Sequence, residues 1–309
     1  MHKRFDIVAL GEGLVEFNQT RPDDPTYLQG FGGDTSNAVI AAARAGARTA
    51  YVSVVGDDHF GQMLMQLWLE NHINTAQTAI ISGAYTGIYF VTHDTAGHEF
   101  NYRRAGSAAA QMVLTDEQLA CIGQAKILHL SGISLAISQN ARSQCLRAIH
   151  AARAAGAQVS FDSNLRLKLW SLTEAREAIT EVMALTDIFL PSMDDVAALS
   201  GLQEPEKITQ WAHRLGAKTV VLKLGADGVL VSTGQQQTRI PALRVQALDA
   251  TGAGDCFGGN LLARLCQGDD VVQAARYANA AAALAVQGFG AVAPLPYPQA
   301  VVALLQTVH

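Results

Sequence analysis

Short runs of almost unbroken apolar character alternate along the chain with longer stretches whose apolar positions recur at helical spacing. The runs FDIVAL (5–10), TAYVSVV (49–55), KILHLSG (126–132), AQVSFDS (157–163), DIFLPS (187–192) and KTVVLKLG (218–225) read as strands. Strands that stay apolar at successive positions, instead of alternating, belong to a parallel sheet covered on both faces. Between them, TSNAVIAAARAG (35–46), HFGQMLMQLWLENH (59–72), SQNARSQCLRAIHAARAAG (138–156) and EPEKITQWAHRLG (204–216) read as helices, three of them ending on glycine. Glycine takes the left-handed turn after a helix most easily. The alternation predicts a doubly wound, mostly parallel α/β sheet flanked by helices.

Two stretches break the pattern. LVEFNQTRPDDPTYLQGFGG (14–33) and YTGIYFVTHDTAGHEFNYRR (85–104) look like β-ribbons, the second alternating, turning at 94–97 and resuming. They predict a small β-sheet lid, made of insertions at about 12–33 and 85–105, on a single α/β domain spanning 1–309. Such a lid excludes water where a reactive phosphate is handled. Apolar positions on it such as Ile88 and Phe90 are expected to be exposed and to offer a surface for a homo-oligomer.

Composition narrows the class. Apolar residues make up 49% and charged residues 16% of the 309 positions, which calls for a substantial core and not for disorder. With 22 basic and 27 acidic residues the net charge is −5, the wrong field for nucleic acid or an anionic membrane. Cys121, Cys145, Cys256 and Cys266 form no C-x-x-C pair, so neither a zinc site nor a redox motif is indicated. Cys256 beside an apolar turn reads as a packed thiol, and His129 as a core histidine. The N-terminal MHKRFDIVALGEG lacks a signal peptide's apolar region, and no run reaches the ~20 apolar residues of a membrane span. A cytoplasmic location is expected.

The chemistry concentrates in DATGAGDCFGGNLLARL (249–265). Gly252 and Gly254 let backbone N–H groups converge ahead of a helix expected at 255–267, an arrangement that binds anions. Asp255 sits inside that positive potential. It reads either as an acidic residue of a first helical turn or as a base that takes a proton from an attacking hydroxyl beside a phosphoryl group. GEG (11–13) lacks the third glycine of a dinucleotide fingerprint, and no Walker loop occurs.

This motif resembles the C-terminal signature D-x-x-G-A-G-D-x-F of the ribokinase-like (PfkB) carbohydrate kinases, matched by Asp249, Gly252, Ala253, Gly254, Asp255 and Phe257. An N-terminal signature is matched in GFGGDTSN by Gly32, Gly33 and Asn37, and the resemblance runs from about residue 5 to about 290. It implies a ribokinase-like fold and an ATP-dependent kinase using Mg2+, with Asp255 as catalytic base and the amides of Gly252, Ala253 and Gly254 as anion hole. GFGGDTSN (30–37), TGIYF (86–90), NYRRAGS (101–107), LSGISLAI (130–137) and DSNLRLKLW (162–170) look like the branch of the family acting on 2-keto-3-deoxygluconate, a sugar acid.

The same resemblance assigns substrate binding to Gly33, Asp34, Asn37, Tyr89, Tyr102, Arg104, Ile133 and Arg166. ATP falls to Asn164, Arg166, Lys223, Gly225, Gly228, Gly252, Gly254 and Asn279, and a monovalent cation is placed near Asp249. No residue is assigned directly to a metal. Chemistry agrees on the arginines, since a planar guanidinium suits a carboxylate better than lysine does. Each residue also has a plainer use: Arg104 on a solvated hairpin face, Tyr89 in strand packing, Asp34 at a helix N-terminus, and Gly225 and Gly228 in a tight hairpin. Two departures stand out. Ser192-Met193-Asp194-Asp195 replaces the family's Asn-x-x-Glu but keeps a terminal carboxylate, and GFGAVAP (288–294) offers no acidic contact. The rival readings are a kinase for the galactonate epimer or for fructose, a non-catalytic sugar-binding regulator, and a nicotinamide oxidoreductase.

Overall fold

In the computed structural model, which describes residues 3–19, 21, 25–94 and 97–307, the apolar runs become the strands of one large sheet. Its strands come from β1 (Phe5–Leu10), β4 (Thr49–Val52), β9 (Ala125–Ser131), β10 (Gln158–Asp162), β11 (Ile188–Phe189), β12 (Thr219–Lys223), β13 (Val229–Ser232) and β14 (Gln237–Ile240). Among the described residues their order is β14-β13-β12-β11-β10-β9-β1-β4, parallel except for the antiparallel β12-β13-β14 edge.

Successive strand residues point to opposite faces, and both faces are covered. Val8, Leu128 and Leu222 join one core with the helices Gln139–Ala154 and Leu172–Met183, while Ile7, Ile127 and Val221 join another with the helices Ala253–Gln267 and Val271–Ala285. That is why these runs carry no polar alternation.

The remaining strands are β2 (Leu14–Asn18), β3 (Leu28–Gly32), β5 (Val54–Gly56), β6 (Ala79–Ile81), β7 (Ile88–Asp94) and β8 (Gly97–Arg103). The two ribbons do form a separate small sheet, ordered β3-β2-β7-β8, joined by the parallel β2–β7 pair. Asp94 pairs with Gly97, and the centre of the turn expected there, 95–96, lies outside the described residues.

Two expectations are corrected. The run 49–55 is two strands, not one: β4 stays in the large sheet and β5 pairs with β6 in a two-stranded sheet. The chain leaves at Ser53, whose buried hydroxyl donates to the Gly11 carbonyl at 2.7 Å while its own carbonyl accepts from Ala79. Ile88 and Phe90 are not exposed but half-buried. Phe90 stacks on Phe17 with ring centroids 5.3 Å apart, and Ile88 packs against the core that holds Val15 and Trp68.

The helices Asp34–Arg44 and Ala253–Gln267 cross in close contact. A Cβ at Gly259 would stand 2.1 Å from the Ala38 carbonyl oxygen, so only glycine lets the two backbones approach this far. Neighbouring Gly258 has more room, its nearest atom being Leu190 Cδ1 at 3.4 Å. Gly259→Ala is therefore expected to lower the thermal midpoint, overpacking costing roughly 1–3 kcal/mol. Gly258→Ala should leave it unchanged or raise it, since alanine gains about 0.8–1 kcal/mol of helix propensity. Equal losses in both variants would contradict the packing argument.

Candidate active site

A cleft of about 990 Å3 opens at the carboxyl ends of the parallel strands, where open α/β sheets bind their ligands. Its floor comes from the residues after β9, β10, β11 and β12, and the small sheet supplies Leu14, Tyr89, Phe100 and Tyr102 to its wall. Every residue singled out in the sequence for substrate or nucleotide lines this one cleft, from Gly33, Asp34 and Asn37 through Ile133 and Arg166 to Asp255 and Asn279.

Asp255 lies in the first turn of the Ala253–Gln267 helix, two residues later in that helix than the sequence placed it. Gly252 precedes it in the left-handed region at φ 73°, where a Cβ would also stand 2.8 Å from that of Ala291. Across the helix crossing, Asn37 Nδ2 donates to Asp255 Oδ2 at 2.8 Å. Burial, then the negative charge of Asp34, pushes the Asp255 carboxyl well above the usual carboxylate range, and the Asn37 hydrogen bond only partly opposes this. Of the amides expected to face an anion, that of Ala253 donates to the Ala250 carbonyl at 3.2 Å.

Lys223, at the end of β12, forms an ion pair with Asp162 at the end of β10. Its Nζ would lie 3.3 Å from a Cβ at Gly254, so a positive charge flanks the helix N-terminus. Burial raises the Asp162 carboxyl, and Lys223 works against that rise. Asn164, held at φ 27°, donates to Asp34 Oδ2 at 2.8 Å. Asp195 accepts from Ser163 Oγ at 2.8 Å and from the Leu165 amide at 3.1 Å, which fixes the loop carrying Arg166. Arg166 is exposed, with Nη1 on the Leu165 carbonyl at 2.9 Å.

On the small-sheet side Arg104 is buried and ion-paired with Glu12, so it does not lie on a solvated hairpin face. Tyr89 donates to Glu16 and stacks on Tyr102, ring centroids 5.4 Å apart. Burial raises both glutamates. Gly225 and Gly228 bound a short 3-10 turn between β12 and β13, and a Cβ at Gly228 would stand 2.0 Å from the Ile240 carbonyl oxygen. Asn279 donates to the Pro241 carbonyl at 2.8 Å. Asp249 accepts from the amides of Thr251 and Gly290, each at 2.8 Å, tying the glycine loop to the 288–291 turn.

Glu12, Glu16 and Asp162 were missed in the sequence, although a signal was present. Each is an acid in or at the end of an apolar run, and a buried charge needs a partner. His129 and Cys256 are core residues, the imidazole pushed down to about 4 and the thiol up to about 12 by burial. Among the described residues no three His, Cys, Asp or Glu side chains are grouped to hold a metal, and no helix is long and apolar enough to cross a membrane.

Comparison with known proteins agrees with this geometry. The model of the pfkB family carbohydrate kinases matches residues 3–298. The chain belongs to that family. As a PfkB carbohydrate kinase it is an ATP-dependent sugar kinase. It is 34% identical to a 2-dehydro-3-deoxygluconokinase of Escherichia coli (strain K12), covering 93% of this chain and 97% of that one. It is 33% identical to fructokinase-1 of Oryza sativa subsp. japonica, covering 97% and 98%. Among solved structures, a fructokinase from Vibrio cholerae O395 in fructose, ADP and calcium ion bound form superimposes with a TM-score of 0.85 at 30% identity, covering 97% of this chain and 99% of that one.

The Asp162–Lys223 pair gives a stability test. Lys223→Met leaves a buried carboxylate unpaired and should cost about 3–5 kcal/mol in urea unfolding, whereas adding Asp162→Asn should recover most of that loss. A double variant as unstable as the single one would mean that the pair carries no such coupling.

Proposed function

We propose that this PfkB kinase phosphorylates the C6 hydroxyl of 2-keto-3-deoxygluconate, giving 2-keto-3-deoxy-6-phosphogluconate and ADP. One observation carries the reading: a cleft with Asp255 half-buried at a glycine-opened helix N-terminus is also lined by two arginines, Arg104 and Arg166. A neutral sugar needs no such cations, whereas a sugar acid does. Similarity to the E. coli 2-dehydro-3-deoxygluconokinase supports the same substrate. Fructose is the second reading, supported by the similarity to fructokinases.

Asn37 holds one oxygen of Asp255, leaving the other for the acceptor hydroxyl. As that hydroxyl oxygen bonds to the γ-phosphorus, its proton passes to Asp255 and the bond from phosphorus to the bridging oxygen of ADP breaks. The amides of Gly252, Gly254 and Asp255 and the Lys223 ammonium stabilise charge on the transferring group, the Ala253 amide being held by the Ala250 carbonyl. Gly33, Asp34, Tyr89, Tyr102 and Ile133 line the acceptor's side, and Asn164, Gly225, Gly228 and Asn279 the nucleotide's.

The donor set fits a divalent cation carried on the nucleotide, because Asp162, Asp194 and Asp195 line the cleft without forming a three-acid cage. Mg2+ in that place would neutralise phosphate charge, held by the phosphates and, through water, by Asp162 and Asp195. The calcium ion in the V. cholerae fructokinase supports a divalent ion in such a site.

The test is Mg2+-dependent ADP release from ATP with 2-keto-3-deoxygluconate, its galactonate epimer, fructose, ribose and gluconate as acceptors. Turnover should be confined to the keto-deoxy acids and fall about 100- to 10,000-fold in Asp255→Asn. Turnover on fructose alone would move the substrate assignment to the second reading and leave the base in place.

The pH profile tests the base separately. Because the raised Asp255 carboxyl must lose its proton to act, kcat/KM should climb with pH through an apparent pKa above the ordinary carboxylate value of 3.8. Asn37→Ala removes the hydrogen bond that favours the ionised form, so it should move that limb further up. A limb at the ordinary value, unmoved in Asn37→Ala, would exclude Asp255 as the base.

A further inference from the structure

The stretch GEGLVEF places Glu12 just after β1 and Glu16 within β2, both 2% exposed. Each meets a small-sheet residue lining the cleft, Glu12 meeting Arg104 and Glu16 meeting Tyr89. The two contacts differ in kind. Glu16 accepts from a neutral phenol, whereas Glu12 opposes a cation in a pair buried on both sides, its side chains 1% and 8% exposed. Apolar residues of similar volume hold a fold as well as a buried ion pair does, so stability alone does not account for Glu12.

The geometry of the pair does. Only Arg104 Nη2 and Glu12 Oε2 meet, although a guanidinium and a carboxylate readily form two parallel bonds. Glu12 Oε1 and Arg104 Nε are left buried without a hydrogen-bond partner among the described residues. Such orphans mark places where something other than packing sets the arrangement. The carboxylate is admitted by Gly87, at the start of the second ribbon, where a Cβ would stand 2.9 Å from Oε1, so a side chain there would collide with it. The guanidinium lies against an aromatic face, its Cζ 5.4 Å from the centroid of the Tyr102 ring. Glu12 thus fastens the residue that follows edge strand β8, 92 positions away in sequence, to the carboxyl end of β1 in the large sheet.

We propose that Glu12 is a positioning residue for the sugar acceptor, holding Arg104 in the cleft wall in the single pose in which it meets that acceptor. The inference rests on the reading of Arg104 as an acceptor contact.

The experiment is a double-mutant cycle of Glu12→Gln, Arg104→Gln and their combination. KM for the best acceptor of the panel, KM for ATP, kcat and the thermal midpoint are measured for each. Arg104→Gln should raise the acceptor KM about tenfold or more. Glu12→Gln should raise it by a comparable factor, with the ATP KM within twofold of wild type, since misplacing a binding group by an ångström is costly. In the combined variant the Glu12 change should add nothing to KM, which separates positioning from a general loss of structure. A Glu12→Gln acceptor KM within twofold of wild type, with Arg104→Gln impaired, overturns the positioning role alone. An unimpaired Arg104→Gln overturns the acceptor reading of Arg104 and this inference with it. Should Glu12→Gln not fold, Glu12→Asp carries the same expectations, because it keeps the charge and withdraws it by one methylene.

Discussion

The contact between two helix backbones at Gly259 and Ala38 is the constraint on which the cleft depends. One helix begins beside Gly33 and the other beside Gly252, and their crossing brings both N-termini to a common point. Asn37 lies next to Ala38 in one helix, and Asp255 lies one turn before Gly259 in the other. The hydrogen bond between them is therefore a direct result of interhelical distance. Two partial positive charges from helix ends then meet at the half-buried carboxylate of Asp255. Wider packing would separate Asp255 from the amide that orients it, without altering either residue.

Electrostatics in the cleft follows from how few charges are left unmatched. Asp34, Asp162 and Asp255 crowd one region, where the Asp34 charge makes both Asp162 and Asp255 harder to ionise and Asp162 adds to the effect on Asp255. Lys223 answers Asp162, and Asn37 and Asn164 supply neutral donors to Asp255 and Asp34. Among the described residues Asp255 is compensated by the Asn37 hydrogen bond and by no ion pair. A carboxyl in that condition holds a proton strongly, which is the property a general base near neutral pH requires.

The sequence was most informative where structure is local. Unbroken apolar runs marked the large sheet because its strands are covered on both sides, and the glycines around Asp255 marked the sharp turn before its helix because backbone conformation is written in residue type. Ser53 gave little warning that the chain would leave the sheet there, since the reason is a hydrogen bond to Gly11, 42 residues away. Likewise Glu12, Glu16 and Asp162 acquire their meaning from Arg104, Tyr89 and Lys223, each more than 60 residues distant. No periodicity within a window of one helix or strand encodes such pairs. The exposure expected for Ile88 and Phe90 failed for the same reason, because Phe17 and the Val15 core cover them from another segment.

The small sheet is assembled from two ribbons that the chain makes far apart, and only the parallel β2–β7 ladder makes them one. Each ribbon can zip locally, but Phe17 cannot find Phe90 until the intervening helices and β4 have settled on the large sheet. Closing so long a loop costs entropy before any contact offsets it. Until then β2 and β7 each show water an unpaired edge, open to another chain as readily as to each other. The cover of the cleft is thus completed only once a long loop has closed, and until then it is open to mispairing during synthesis.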